Sequence, residues 1–571
     1  MVDAPPSPHS RVRSRLLLCL SVLIASVAGY LTWDNWHSGQ PVALPDAAHE
    51  KLECASYTPS HDGHTLSVDT QHQLVRSDLA ILAQRFRCVR TYSVAPGLDD
   101  VPKIARELNL KVMLGMWISS HGPSNDIEIA RGIELANTYS DVVTAVIVGN
   151  EVLLRREQTA AQLKALIERV RAGTQVPVTY ADVWEFWMRN PELARSTSFV
   201  TVHILPYWED HPIGIDHALD HVRSIYAKVK EAFPDQRVVI GETGWPSAGR
   251  PRLTAVPGLI NEARFIREFV AFADREQIPY NLIEAFDQPW KRVQEGTVGG
   301  FWGLYDANGL PKFPFIGPVA ANPQWLSAWF AALAGAVLFV GGSALLRPKP
   351  SFAAWSYAAT AGYVAGFVAF SQWQYAVAAN RTTLEWIASA LCASVGWFAV
   401  LLVCHKSLQW AQGKPSTLRA SSIASILQAT HREVGAHHSD RTLGILRMLV
   451  LSCMAYVCFG LVYEGRGRDF PIVFFILPAV GYVLLDALAR FDAKPHTERH
   501  LDNEELLLGL CIGLSGVIVI GRETWVNSRA VCWGALCLLV GLNLCYSFWR
   551  RSTHPNERTE QNAEPAQFER V

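Results

Sequence analysis

Apolar and polar positions follow three different rhythms along this chain. Near the N-terminus Arg11, Arg13 and Arg15 precede an apolar run from Leu16 to Trp33, long enough at roughly 18 residues to cross a bilayer as one helix. A cleaved signal peptide and an uncleaved anchor both begin this way. The length of the run, and the lack of a convincing small-x-small exit into polar sequence, since Tyr30, Trp33 and Trp36 follow it, favour the anchor. From about Trp325 seven further apolar runs follow, at 325–346, 352–374, 384–404, 443–463, 470–489, 505–521 and 530–549, and these predict a multi-span helical bundle. Between anchor and bundle, short β-type runs alternate with helical stretches every roughly 20–45 residues, the pattern of a parallel sheet with outer helices. Eight runs stand out: LECASY (52–57), FRCVRTY (86–92), KVMLGMW (111–117), VTAVIVG (143–149), VPVTYA (176–181), FVTVHIL (199–205), VVIGE (238–242) and YNLIEAF (280–286). Segments such as AAQLKALIERVRAG and LINEARFIREFVAFADR carry apolar residues at three- and four-residue spacing between them. Eight βα units in about 270 residues predict an α/β fold, a (β/α)8 TIM barrel. The expected organisation is a cytoplasmic tail and anchor at 1–36, the barrel at 45–320, the membrane domain at 324–550 and a cytoplasmic tail at 551–571.

Composition and charge sharpen this division. With 50% hydrophobic and 18% charged residues in 571, the chain is too apolar to be wholly soluble. Lys and Arg gather in alternate loops. One set holds Arg347 and Lys349, then Lys406, Lys414, Arg419, Arg432 and Arg441, then Arg490, Lys494 and Arg499, then Arg550 and Arg551. The other set holds only Arg381, then Arg466 and Arg468, then Arg522 and Arg529. The positive-inside rule then puts both termini in the cytoplasm and the barrel outside, in agreement with the basic flank of the first helix. Trp325, Trp329, Trp373, Trp386, Trp410, Trp525 and Trp549 fall near span ends, as an interfacial belt requires. Charges deep within spans look almost absent, Asp486 lying toward the inner end of its helix, which argues against a proton-driven transporter. A net charge of -1 excludes a strong field for nucleic acid.

Of eleven cysteines only Cys54 and Cys88 lie outside apolar stretches, and no spacing suggests zinc or any other metal site. If Tyr57 and Arg90 both point into the barrel, strand alternation sets the two sulfurs on opposite faces and leaves them unpaired.

Barrel active sites lie at the C-terminal ends of the strands. Those ends carry Tyr57; Arg90 and Tyr92; a position near Trp117; Asn150 and Glu151; His203, Tyr207 and Trp208; Glu242 and Trp245; and Glu284, Asp287, Trp290 and Lys291. Glu151 and Glu242, closing strands four and seven, suit glycosidic chemistry, in which one carboxylate attacks the anomeric carbon while the other protonates the leaving oxygen. Bland readings stand beside these: Asn150 as a helix cap, His203 as a core histidine, the aromatic residues as barrel packing, Arg90 as one partner of a structural ion pair.

Five motifs in order, VRTY (89–92), VGNE (148–151), GETGWPS (241–247), AFDQPWK (285–291) and EGTVGGFWGLYDANGLPK (295–312), give residues 51–316 a resemblance to glycoside hydrolase family 17. The resemblance implies a retaining enzyme with Glu151 as general acid/base and Glu242 as nucleophile. It implies a sugar-binding rim of Tyr57, Arg90, Tyr92, Asn150, His203, Tyr207, Trp208, Trp245, Glu284, Asp287, Trp290 and Lys291, with Glu295 matching a further acidic position. Gln288 departs from the plant members, which carry Glu there. Members act on β-1,3-glucans, and membrane-bound bacterial transglycosylases of the rhizobial kind form β-1,6 linkages. The expected partners are a β-glucan, membrane lipid and, as an open option, a glucan synthase or exporter. The expected location is a bacterial inner membrane with the barrel in the periplasm, and no cofactor is called for, since two carboxylates supply acid, base and nucleophile. Hydrolysis of β-1,3-glucan is the near alternative. A membrane scaffold or channel whose barrel only binds glucan is the alternative of another class.

Overall fold

A computed structural model describes residues 8–47, 51–59, 67–345, 350–413, 418, 438–463, 468–491 and 503–552. The chain divides into two units, Ser38–Pro323 on one hand and Met1–His37 with Gln324–Val571 on the other.

In the first unit eight strands close into a parallel barrel in sequence order: β1 (Leu52–Ser56), β2 (Phe86–Arg90), β3 (Lys111–Met116), β4 (Val143–Asn150), β5 (Val178–Val183), β6 (Val200–His203), β7 (Val238–Thr243) and β8 (Tyr280–Leu282). All eight coincide with runs predicted from the sequence, the eighth being shorter and the fifth extending two residues further, to Val183. Closure comes from β1 against β8, with Cys54 opposite Asn281 and Ala55 opposite Leu282. The outer helices form because their apolar residues recur at helical spacing. Ala160–Gly173 buries Leu163, Ile167 and Val170 and opens with a capping box between Thr159 and Gln162. Ile215–Ala232 buries Ala218, Val222, Ile225 and Val229. Inside the barrel, Cys54, Cys88, Met113, Ala145, Ile147, Ala181, Phe199 and Val239 from across the ring form one packed cluster. Above it the filling turns polar: Thr179 and Thr201 share a 2.9 Å hydrogen bond, and Asn281 donates to the Gly241 carbonyl at 2.9 Å.

The expectation for the barrel cysteines is overturned. Cys54 and Cys88 are register partners on β1 and β2 and are joined in a disulfide. The error lay in the orientation of Tyr57. Its hydroxyl donates to Asp78 on the helix Val68–Leu82 at 2.9 Å, so the ring faces outward. Three residues earlier, Cys54 therefore faces inward, as Cys88 and Arg90 do.

The second unit is helical: Pro8–Ser38, Trp325–Ala344, Phe352–Ala379, Thr383–Ala411, His438–Tyr463, Ile472–Phe491, Asn503–Glu523 and Ser528–Ser552. Seven of these, all but Phe352–Ala379, are long and apolar enough to cross a membrane. The basic residues predicted at 347, 349, 414, 419, 432, 466, 494 and 499 lie outside the described residues. Buried charge is more abundant here than the sequence pattern suggests. Lys406 is paired with Asp440, and Arg447 lies between Asp486 at 3.5 Å and Glu505 at 3.6 Å. Lys406, Asp440 and Glu505 fall at or just beyond the edges of the apolar runs, where a linear pattern reads them as solvated; packing between helices buries them in pairs instead.

One outcome tests the barrel interior directly. Alkylation of the unfolded, unreduced chain should modify the nine free cysteines, and prior reduction should add two more. Proteolysis before reduction should yield one linked pair of peptides, carrying Cys54 and Cys88.

Candidate active site

The centre of the barrel mouth is organised by Arg90. Its guanidinium is buried and donates from Nη1 to Glu242 Oε1 at 2.7 Å and to the Gly241 carbonyl at 2.8 Å. From Nη2 it donates to Asn150 Oδ1 at 2.6 Å. One side chain on β2 thus joins the ends of β4 and β7. Tyr92 adds a hydroxyl to the same Glu242 Oε1 at 2.8 Å. Gly241 has a steric reason: a Cβ there would come within 2.4 Å of Thr201 and 3.1 Å of the His203 ring.

Glu151 is held differently. Gly149 has φ +87° and Glu151 φ +51°, a left-handed backbone that costs a residue with a side chain on the order of 1 kcal/mol. The Glu151 N–H donates to Ala181 on β5 at 2.8 Å, and its carbonyl accepts from Arg155 N–H at 2.8 Å. A Cβ on Gly149 would meet Val152 at 2.4 Å, so glycine is required where the chain turns. The Glu151 side chain is 21% exposed and meets His203 Nδ1 at 2.9 Å. His203 Nε2 lies 3.5 Å from Arg90 Nη2. Glu151 Oε1 accepts from the N–H of His203 Nδ1. Glu151, His203 and Glu242 each offer an atom within 4.8 Å of the other two. Three such ligands could in principle hold a cation, but Arg90 already occupies Glu242 Oε1, and a dication would face that fixed positive charge.

The two carboxylates are in opposite environments. Burial pushes the Glu242 carboxyl up, but His203, Arg90, the Tyr92 hydroxyl and Lys291 outweigh it and hold it below the usual range. Glu151 is more exposed and has one side-chain donor. Beside them Lys291 donates to Glu284 Oε2 at 2.7 Å. Burial opposes the Lys291 charge, yet Glu284, Glu295 and Glu242 raise its pKa. Glu295 is pushed up to about 7, first by burial and then, against Lys291, by Glu284, Glu151 and Glu242.

The remaining predicted residues divide into two groups. Trp208 is half-buried and stacks on Trp302, with centroids 6.2 Å apart and planes 14° apart. Trp290 donates to Gln288 at 2.6 Å, and Gln288 donates on to the Thr58 carbonyl at 3.1 Å. The glutamine that departs from the plant pattern is thus a buried link that fixes Trp290. Tyr57, Tyr207, Trp245 and Asp287 are not brought to the carboxylates. Tyr57 is bonded to Asp78, Tyr207 to the Arg250 carbonyl at 2.6 Å, Trp245 to the Val256 carbonyl at 3.1 Å, and Asp287 to Lys312 at 2.9 Å.

Two features escaped sequence reasoning. Asn281 and Ser56 form a polar floor under Gly241, inside strands whose ends alone carry a sequence signal for chemistry. Asp182 lies one residue past the predicted end of β5. It is bonded by the Tyr180 hydroxyl, and its carboxyl is pushed up to about 6, first by burial and also by Glu151, with Tyr180 opposing. Elsewhere, in the helical unit, a mainly apolar cavity of about 670 Å3 is lined by residues such as Gly335, Phe339, Trp397 and Leu408; no comparable set of carboxylates lines it.

Residues 54–303 match the BtgE/BtgC glycoside hydrolase domain. A probable beta-glucosidase, btgE of Aspergillus flavus, is 29% identical over 273 residues, 46% of this chain and 44% of that protein. A putative glucan endo-1,3-beta-glucosidase, btgC of Aspergillus niger, is 26% identical over 287 residues, 44% of this chain and 40% of that protein. The chain therefore spans less than half the length of these relatives. Among solved structures, an active-site mutant of a Rhizomucor miehei beta-1,3-glucanosyltransferase in complex with laminaritriose is 26% identical, covering 47% of this chain and 98% of its own, with a TM-score of 0.41.

Replacing Arg90 by Leu should leave the Glu242 carboxylate buried without its guanidinium, a loss of about 3–5 kcal/mol at pH 7. In the native protein the depressed Glu242 pKa adds stability above the unfolded carboxylate pKa, and this is lost as pH falls through the folded value. In Arg90→Leu burial dominates, so protonation relieves the variant and its deficit should narrow at acid pH. Denaturant unfolding at pH 7 and below pH 4 checks this; an equal deficit at both would mean that Arg90 stabilises by packing alone.

Proposed function

We propose that the barrel, whose residues 54–303 match the BtgE/BtgC glycoside hydrolase domain, is a glycoside hydrolase family 17 enzyme that cleaves β-1,3-glucan by double displacement at Glu242 and passes the glycosyl unit to another sugar hydroxyl. The observation that carries this is the pair of unlike carboxylates whose polar atoms lie within 4.8 Å, a separation in keeping with a retaining site, about 5–5.5 Å, rather than an inverting one. With Oε1 of Glu242 engaged by Arg90 and Tyr92, Oε2 is the atom free to attack the anomeric carbon. As that bond forms, the glycosidic C–O bond breaks and Glu151 gives its proton to the leaving oxygen. Glu151, now ionised, takes a proton from the acceptor hydroxyl as that oxygen attacks the same carbon and Glu242 departs. His203 donates to Glu151 Oε1, which orients the acid and leaves Oε2 to carry the proton. Asn150 accepts from Arg90 through Oδ1, so its amide N–H groups remain for a sugar hydroxyl. Trp208 and Trp290 supply apolar faces for sugar rings, with Trp302 buried against Trp208 as its support.

The substrate reading draws support from the putative glucan endo-1,3-beta-glucosidase among the relatives. The aromatic rim favours transfer, because a bound sugar excludes water from the intermediate, and β-1,6 is the linkage proposed for the new bond. Hydrolysis is the second reading. We further propose that the helical unit spans a bacterial inner membrane, with residues 45–320 periplasmic and both termini cytoplasmic. The seven apolar helices support the crossing, both termini lie on one side when Phe352–Ala379 crosses as an eighth span, and the uneven Lys and Arg content of the loops supports the orientation. Membrane lipid is then a partner, and a glucan synthase or exporter is the proposed source of the glucan.

Incubating the full chain with laminari-oligosaccharides, followed by linkage analysis, tests the reading. Products longer than the donor, containing a new linkage, are expected at high donor concentration; shorter products at every concentration would leave hydrolysis. Glu242→Gln should lower turnover by at least about 10³-fold. Glu151→Ala should lose far more activity on natural glucans than on dinitrophenyl glycosides, which need little protonation; equal losses would remove Glu151 from the acid role.

Topology has its own test. A periplasm-dependent phosphatase fused after Pro323 should be active and one fused after Gly413 inactive, and the reverse would invert the proposed orientation.

A further inference from the structure

We propose that Trp117 is a glucan-binding platform that stacks against a glucose residue away from the cleavage point and is tied mechanically to the acid loop. The inference rests on the β-1,3-glucan reading above for its substrate. Its observations are separate from those that assign Glu151 and Glu242.

Trp117 follows the last residue of β3, at the catalytic end of the barrel. It is 41% exposed, unlike the large aromatic residues packed in the barrel core. It is also immobilised. Its backbone N–H donates to Glu128 Oε1 at 2.9 Å, and the same oxygen accepts from Val94 N–H at 2.8 Å. The Arg155 guanidinium covers the ring at 4.2 Å. That guanidinium donates from Nε to the Asn150 carbonyl at 3.0 Å and from Nη2 to the Ile118 carbonyl at 2.8 Å. One planar group therefore lies between the indole and the backbone of the residue preceding Glu151.

A rigid aromatic face left open to water is unfavourable unless something covers it, because the area is apolar and the ring cannot turn away. The C–H face of a β-linked glucose is such a cover. Stacking on an indole leaves the sugar hydroxyls in water while burying their ring carbons. The guanidinium behind the ring is held by two carbonyls, so the ring's position and that of the β4–loop junction are fixed together.

In a closed eight-stranded ring β3 stands opposite β7, four strands away in either direction. Trp117 is therefore across the mouth from Glu242, too far to hold the sugar being attacked, and it fits a unit further along the chain. Longer oligosaccharides should reach it and short ones should not.

The experiment measures equilibrium binding of laminari-oligosaccharides of two to six units to the full-length Glu242→Gln protein in detergent, with and without Trp117→Ala or Trp117→Phe. Affinity should rise with length in the Glu242→Gln protein. Trp117→Ala should remove about tenfold of the affinity for the longest oligosaccharide and flatten the rise, and Trp117→Phe should restore part of it. Equal weakening at every length, or no change, would overturn the proposal, the first outcome marking Trp117 as only a support for Arg155. If the Glu242→Gln protein binds no laminari-oligosaccharide, the β-1,3 reading fails separately. The same variants are then titrated with β-1,4- and β-1,6-linked series, where a length-dependent loss in Trp117→Ala would keep the platform and its absence would end it.

Discussion

A buried guanidinium is the constraint on which the rest of the barrel mouth depends. Arg90 is fully buried, and removing its charge from water costs several kcal/mol unless each face finds an acceptor. It finds three on two strands: Glu242 Oε1, the Gly241 carbonyl and Asn150 Oδ1. That requirement fixes the relative position of β4 and β7, and so the gap between Glu151 and Glu242. Closure of the barrel supplies the frame, but backbone pairing alone does not say where two carboxylates will point. The charged side chain does.

From that one placement the asymmetry between the carboxylates follows. Glu242 sits where cations and hydroxyls converge and stays ionised despite burial. Glu151 stands on a left-handed turn, reaches toward solvent and is met by the His203 imidazole N–H. Were Arg90 to bind both equally, the pair would repel as two anions or share one proton with no preferred owner. The strained backbone at Glu151 carries a cost, and the Ala181 and Arg155 hydrogen bonds hold it there.

Much of this was legible in the residues. Eight β-type runs gave eight strands, because Val- and Ile-rich segments separated by amphipathic helices admit few other folds. VGNE and GETGWPS placed both glutamates at strand ends. What failed was side-chain direction. Tyr57 was read as facing the mouth because it follows β1, yet its hydroxyl meets Asp78 outside the barrel, and from that single inversion the Cys54–Cys88 disulfide was missed. Tyr207 and Trp245 lie beside rim residues in sequence and are nonetheless buried in packing, since strand ends bend and period-two alternation no longer applies. Asp182 lies beyond that reading for a different reason: pairing with β6, Asp182 opposite Val202 and Val183 opposite His203, carries β5 past the end of its apolar run.

The same electrostatic rule explains why apolar periodicity underestimates buried charge in the helical unit. A window of hydropathy treats Lys406 or Glu505 as the boundary of a helix, where water is available. In the packed unit those boundaries face neighbouring helices, so an ionisable group there must be matched rather than solvated. Arg447 lies between Asp486 and Glu505, and Asp486 also accepts from Asn543 at 2.9 Å, which in turn accepts from Arg490 at 2.9 Å. Four helices are linked by that chain of contacts. Apolar side chains pack with many partners at small cost, whereas a charge tolerates only its complement. These pairs therefore specify which helices are neighbours more sharply than the surrounding leucines can, just as Arg90 specifies which strand ends meet at the barrel mouth.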